Sequence, residues 1–174
     1  IDLSSFDSRY VGDMSCMFSG CCNLANINLS FFESKNVTNM RNIFSGCSSL
    51  TSINLSSFDI RSVTDMNFMF YNCSNLIEID LSSFDTKNVN NTNGMFFNCP
   101  KLNIVKVNNN SSKIIEELIN KNINIIDQFG NKISKDNYIN MNNNLNNNPN
   151  NFFKIINNII NFNNNINDNR IDNM

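Results

Sequence analysis

The sequence predicts an α/β solenoid, a stack of strand-bend-short helix units held together by a narrow parallel sheet. The first observation is a phrase that returns every 26 residues: Leu3-Ser4-Ser5-Phe6-Asp7, Leu29-Ser30-Phe31-Phe32-Glu33, Leu55-Ser56-Ser57-Phe58-Asp59 and Leu81-Ser82-Ser83-Phe84-Asp85. The second is that the rest of each copy keeps the same phase. Val11, Val37, Val63 and Val89 correspond, as do Phe18, Phe44, Phe70 and Phe96, Cys21, Cys47, Cys73 and Cys99, and Leu24, Leu50, Leu76 and Leu102. The third is that no insertion interrupts the four copies. A fixed period of this size marks units that stack on one another and share a continuous core.

Within one unit, residues 21–46, the chain first reads as a strand. Leu24, Ile27 and Leu29 supply the apolar side, and Asn28 points outward between the last two. The equivalent outward positions are Asn54, Asp80 and Lys106. A bend follows at Ser30-Phe31-Phe32-Glu33. Val37, Met40, Phe44 and Cys47 then fall at offsets of three, four and three, the spacing of a short helix. Asn36 or Thr38 suits its N-cap, with Ser62 or Thr64 in the next copy. Gly20, Gly46, Asn72 and Asn98 close the four helices with the residue types that most easily turn left-handed.

Stacking puts identical positions above one another, about 4.8 Å apart on the sheet side. Phe6, Phe32, Phe58 and Phe84 become one ladder, and Phe18, Phe44, Phe70 and Phe96 another. Met14, Met40 and Met66 form a third, which Thr92 interrupts in the last copy. One unit alone cannot bury these side chains.

Charge and composition narrow the partners. Residues 1–104 carry 6 Lys/Arg against 9 Asp/Glu, and residues 105–174 carry 7 against 6. Neither half offers the basic field that nucleic acid needs, so no nucleic-acid partner is expected. No stretch approaches the ~20 apolar residues of a membrane span. There is no His, the only Ala is Ala25, and Asn accounts for 42 of 174 residues. Ile1 occupies the same repeat position as Ile27, Ile53 and Ile79, so the chain opens inside a unit and is expected to be a fragment of a longer protein.

The shared pattern is Ile-x-Leu-Ser-Ser-Phe-Asp, then Val, two Met, Phe, Cys and Leu at fixed spacing. Its diagnostic pieces are Val63-Thr64-Asp65-Met66, Met69-Phe70 and Cys73-Ser74-Asn75-Leu76, leading to Ile79-Asp80-Leu81. This resembles the BspA-like leucine-rich repeat of bacterial surface proteins, widespread also in mycoplasma surface lipoproteins. The likeness covers residues 1 to about 107. It implies a leucine-rich-repeat-like solenoid, a location at the cell surface or outside the cell, and a role in interaction or adhesion without enzymatic activity. It transfers no binding residue, because the repeat is defined by core positions. The fourth copy departs from the pattern at Thr92 and Pro100, as a unit near the end of an array does.

The solenoid is thus expected over residues 1–107, four units and the half-unit Val105-Lys106-Val107. Residues 108–138 read as a C-terminal cap. Ser111 or Ser112 starts a helix over Lys113–Ile119, a strand follows at Ile123–Asp127, and Gly130-Asn131 turns into Lys132-Ile133. Residues 139–174 form an Asn-rich tail expected to be mostly disordered, since it cannot bury enough apolar area to offset its ordering entropy. Phe152–Phe162 inside it reads as drift in an AT-rich reading frame or as a weak amphipathic helix for a partner.

Four sets of residues are candidates for chemistry. The Cys21, Cys47, Cys73 and Cys99 column reads as a metal ladder, a disulfide chain or buried thiols that pack as small hydrophobes. Its spacing of 26 matches no zinc motif, and the packing reading is favoured. Cys16 and Cys22 occur in the first copy alone and are the better reactive or disulfide-forming pair. Asp7, Glu33, Asp59 and Asp85 form an acidic column beside the basic column Arg9, Lys35, Arg61 and Lys87. These suit a calcium or anion rail, or carboxylates that bond bend amides while the bases offset their repulsion; the second is favoured. Ser4, Ser30, Ser56 and Ser82 have no base beside them and read as turn residues. No phosphate loop or nucleophile elbow is present, and no catalytic residue, metal site or cofactor is expected.

The expected function is a non-enzymatic surface module that binds a protein or glycan, with an intracellular protein-interaction scaffold as the alternative. The candidate ligand-binding face is the outward sheet side: Asn26, Asn28, Ser52, Asn54, Glu78 and Asp80. These residues change between copies while the core repeats.

Overall fold

The computed structural model describes Leu3 and residues 6–139; Ile1, Asp2, Ser4, Ser5 and residues 140–174, with the Phe152–Phe162 segment and nearly all of the Asn-rich tail, lie outside the described residues. The chain divides into two compact units, Ile1–Lys132 and Ile133–Met174. The first contains the repeats. We number its coils from the Leu-Ser phrase: 3–28, 29–54, 55–80 and 81–106.

Each coil closes through the same tight turns at the same phase. Phe32 N–H donates to Leu29 O, Phe58 to Leu55 and Phe84 to Leu81, all at 2.9 Å. Val37 donates to Ser34 and Val63 to Ile60, again at 2.9 Å. On the sheet side, β1 (Glu78–Asp80) pairs in parallel with β2 (Ile104–Lys106), which pairs in parallel with β3 (Asn124–Ile126). Ile79, Val105 and Ile125 share one register row and are buried. The equivalent segments of the first two coils, 26–28 and 52–54, keep the phase without regular ladder pairing.

The other side of the stack departs from expectation. The segments read as helices, such as Val37 to Cys47, are runs of tight turns. Two residues per coil are left-handed, at φ 60° and 75° for Cys16 and Gly20, and 56° and 75° for Asn42 and Gly46. A helix tolerates neither. The amides therefore look outward along the stack instead of four residues back. Met14, Cys16, Phe18 and Gly20 donate to the carbonyls of Asn39, Arg41, Ile43 and Ser45 at 2.7–3.0 Å. Met40, Asn42, Phe44 and Gly46 repeat this onto the third coil. Single parallel bridges run Asp13 to Asn39 to Asp65 to Asn91. A helix of two turns gains few hydrogen bonds for the dihedrals it fixes; a neighbouring coil offers a partner to every second amide.

The proposed helix caps have other work for the same reason. Asn36 Nδ2 donates to Arg9 O, and Ser62 Oγ to Lys35 O. Thr38 and Thr64 hydroxyls donate to the carbonyls of Gly12 and Thr38. All four ties run to the preceding coil.

The core consists of columns. Phe18, Phe44, Phe70 and Phe96 stack at centroid spacings of 5.4, 5.6 and 5.6 Å, within 9° of parallel. Phe6, Phe32 and Phe58 stack at 5.5 and 6.2 Å, and Phe84 is buried in the same phase. Met14, Met40 and Met66 are buried, and Thr92 at the end of that column turns its hydroxyl to Lys113 O at 3.3 Å.

Beyond the fourth coil, α1 (Ser112–Leu118) buries Ile114, Ile115 and Leu118. Ser111 precedes it without capping it through its side chain. Its hydroxyl, fully buried, donates instead to Phe84 O at 2.9 Å and accepts Asn108 N–H at 3.1 Å. After β3, Asp127 organises the turn, its Oδ1 accepting the amides of Phe129 and Asn131 at 2.8 Å. Ile126 then bridges Lys132 in antiparallel fashion. In the second unit, residues 135–139 form one helical turn, entered where Ser134 O accepts Tyr138 N–H. Among the described residues, no helix is long and apolar enough to cross a membrane.

Candidate functional site

The six residues of the expected binding face are all exposed. Glu78 and Asp80 flank buried Ile79 on β1, and Ser52 and Asn54 flank Ile53 in the coil before. The two columns differ in what the fold asks of them. Asn28 Oδ1 accepts the amide and hydroxyl of Ser30 at 3.0 and 2.8 Å. Asn54 Oδ1 accepts Ser56 N–H at 3.0 Å, and Asp80 Oδ1 accepts the amide and hydroxyl of Ser82 at 2.9 and 2.6 Å. Each thus begins the bend of the next coil, an Asx-turn. Burial pushes the Asp80 carboxyl up, but the Ser82 bonds and Lys106 Nζ at 3.7 Å outweigh it, leaving the group below its ordinary value. Asn26, Ser52 and Glu78 have no comparable part in the bends.

The acidic and basic columns pair within the bends of the first, third and fourth coils. Asp7 receives Arg9 through three bonds: its amide at 3.1 Å and its guanidinium at 2.9 and 2.8 Å. Asp59 and Arg61 repeat the arrangement, and Asp85 takes the Lys87 amide at 3.0 Å with Nζ at 3.5 Å. The Arg9 side-chain bond holds the Asp7 carboxyl down at about 2. The carboxylate oxygens are occupied by their own bend. This is the geometry of a bend clamp.

Between the two charged columns lies a buried set that the sequence reading passed over. Ser8, Ser34 and Thr86 are 1–2% exposed. Ser8 Oγ accepts Glu33 N–H at 2.8 Å; Ser34 Oγ accepts Asp59 N–H and donates to Asp59 O at 2.7 and 3.0 Å. Thr86 Oγ1 donates to Asn110 O at 2.8 Å. Ile60 holds the place in the third coil. The signal was a hydroxyl at a fixed phase, interrupted once by an aliphatic.

The repeated thiols also face inward. Cys47, Cys73 and Cys99 Sγ donate to Phe18, Phe44 and Phe70 O at 3.1–3.2 Å. Desolvation pushes them up to about 11, 12 and 11, far from the thiolate that metal binding or nucleophilic attack requires. Cys16 and Cys22 are exposed free thiols on the first coil. An open depression of about 420 Å³ runs along residues 20–26, beside Cys22 and Asn26.

Three aromatic residues that the sequence reading did not single out form a cluster on the turn side. Tyr71 and Phe97 stack at 5.6 Å and 8°, and Phe68 meets Tyr71 edge-on at 5.5 Å. Phe97 is 59% exposed. Their columns hold Ser19 and Ser45, and Cys16 and Asn42, in the first two coils. That departure from column type was the available signal.

Stacked coils with buried thiols, self-paired carboxylates and two exposed faces define a repeat protein with a small parallel sheet. The chain belongs to the family described as Mycoplasma protein of unknown function, DUF285, whose model matches residues 1–110, the four coils and the approach to α1. No match is found among curated proteins or among solved structures.

Proposed function

We propose that the coil stack is a leucine-rich-repeat-like solenoid of the BspA type, acting as a non-enzymatic binding or adhesion module at the cell surface or outside the cell. One observation supports this above the others. The groups able to do chemistry, the repeated thiols, carboxylates and hydroxyls, are tied into bends and coil-to-coil bonds. The exposed sheet-side columns meanwhile change from coil to coil, as in Asn26, Ser52 and Glu78. A rigid stack presenting a varied face suits an extended partner.

The test is saturable binding of the labelled chain to cultured animal cells, with a triple Asn26→Arg, Ser52→Arg, Glu78→Arg variant beside it. This column is chosen because it starts no bend, so the variant keeps its melting temperature. We expect the variant to bind at least ~10-fold more weakly, the loss of ~1.4 kcal/mol of interface energy. Absence of saturable binding by the unmodified chain overturns the adhesion reading, and equal binding by the variant removes this column from the interface.

A further inference from the structure

We propose that the turn side of the third and fourth coils carries a separate platform for a neutral oligosaccharide, made by Phe68, Tyr71 and Phe97 with the amides of Asn72 and Asn98. This rests on the adhesion reading and gives it a second site with a ligand class.

Folding does not demand these rings. The same backbone positions are served by Ser19 and Ser45, and by Cys16 and Asn42, in the first two coils. Phe68 in fact works against its backbone. It stands at φ 57°, where a bulky residue is a conformational outlier, whereas Asn42 at φ 56° is of a type that tolerates it. The fourth coil makes room for it: a Cβ at Gly94 would lie 2.4 Å from Phe68 Cε1. Next to it, Asn67 Oδ1 is a buried side-chain oxygen with no hydrogen-bond partner. Local costs of this kind persist where a surface is maintained for use.

The chemistry of the patch selects its occupant. Tyr71 and Phe97 spend one face each on their mutual stack, so the apolar surface left for the C–H side of a sugar ring is that of exposed Phe97 and the ring edges beside it. Asn98 Nδ2 donates to Asn72 Oδ1 at 2.7 Å, a paired amide whose remaining donors and acceptor match sugar hydroxyls. No charged residue occurs in 66–77 or 88–100, and the cations beside these segments are engaged, Lys101 Nζ by Asn75 Oδ1 at 2.7 Å and Lys121 Nζ by Glu117 Oε1 at 2.8 Å. This disfavours sulfated glycans and single-stranded nucleic acid, which also use aromatic stacking. Size argues against a protein partner. Phe97 and two half-buried rings expose on the order of 200–300 Å², well short of the ~800 Å² per side of a stable protein interface.

The experiment uses the full chain on an immobilised panel of neutral hexose and N-acetylhexosamine oligosaccharides with sialylated and sulfated counterparts. The comparison is a Tyr71→Ser, Phe97→Ser variant, which installs the residue of the first two coils. Phe97→Ser alone, at the most exposed ring, provides a second variant with less effect on folding. We expect retention on neutral members and at least ~10-fold weaker retention of the double variant, from the loss of the aromatic surface, with the native far-UV circular dichroism kept at the assay temperature. No retention on neutral members, retention only on acidic ones, or equal retention of the variants overturns the platform. Binding to cultured cells is measured in parallel to separate the two proposals. If cells capture unmodified and double-variant chains equally, the platform falls and adhesion stands; if they capture neither, both fall. Should the variant lose cell capture that protease abolishes and glycosidase does not, the occupant is a protein and the sugar assignment fails.

Discussion

Cys73 shows how a repeated side chain becomes inert. Its thiol is fully buried, donates to Phe44 O at 3.1 Å, and is pushed by desolvation to about 12. Cys47 and Cys99 share the arrangement at about 11. Cys16 and Cys22 are exposed instead. Timed alkylation at pH 8, read per cysteine by mass spectrometry, should therefore label Cys16 and Cys22 first and the three inner thiols only after denaturation. Early labelling of Cys73 would contradict its burial. The sign of the pH effect follows. These groups hold their protons more tightly when folded, so the stability they contribute is intact below the ordinary value of 9.0. It is lost as pH rises from there through the folded values. A denaturation midpoint that does not fall between pH 9 and 11 would contradict the assignment. The packing role of this column was legible from its phase and the absence of His; the carbonyl each thiol meets was not, because that contact joins residues 29 positions apart.

At the scale of the element, the turn is the unit that the periodicity disguised. Val37, Met40, Phe44 and Cys47 do point to one side, as their spacing requires. Both a helix and a coil of turns satisfy that spacing, and the left-handed pair in each coil decides between them. Gly94 tests the turn geometry. Gly94→Ala should cost about 1–2 kcal/mol for its left-handed backbone, plus the displacement of the Phe68 ring 2.4 Å from the new methyl carbon. Gly20→Ala, with open space around it, should cost only the backbone share. In a Phe68→Ser background the two substitutions should then converge, with a coupling of at least ~0.5 kcal/mol in urea titrations. Equal cost of Gly94→Ala in both backgrounds would show that ring and glycine are independent. The Asx-turns at Asn28, Asn54 and Asp80 add a lesson for the binding face: where the column keeps to Asn and Asp, before Lys106 ends it, the polar residue answers to a bend.

For the whole stack of coils, stability comes from neighbours. Coils two and three receive amides from one side and give them to the other, while Phe6 on the first coil is 39% exposed against 3% for Phe32 and Phe58. A stack of this kind opens from its less covered members. In these 174 residues taken by themselves, native-state hydrogen exchange should be slowest at amides such as Phe44 and Phe70 and clearly faster at Met14 and Phe18. Uniform rates across all four coils would mean that the array opens as one block. The segment after the fourth coil belongs to this scale too. Helix and strand were legible at 113–119 and 123–127 from apolar spacing and a turn signal, close to α1 and β3 as observed. That Ser111 would tie back to Phe84 was not.

The sequence by itself determined the period, the columns that fill the core and one of the two left-handed places in each coil, at Gly20, Gly46, Asn72 and Asn98, because each is written in residues at a fixed phase; the other, at Cys16, Asn42, Phe68 and Gly94, carries no common residue type. Tertiary structure alone decided where the backbone hydrogen bonds go. An amide four residues from one carbonyl and one coil from another can serve either, and only the packed neighbour makes the second choice cheaper. The same holds for the aromatic cluster, since Phe68, Tyr71, Gly94 and Phe97 meet only when the third coil lies on the fourth.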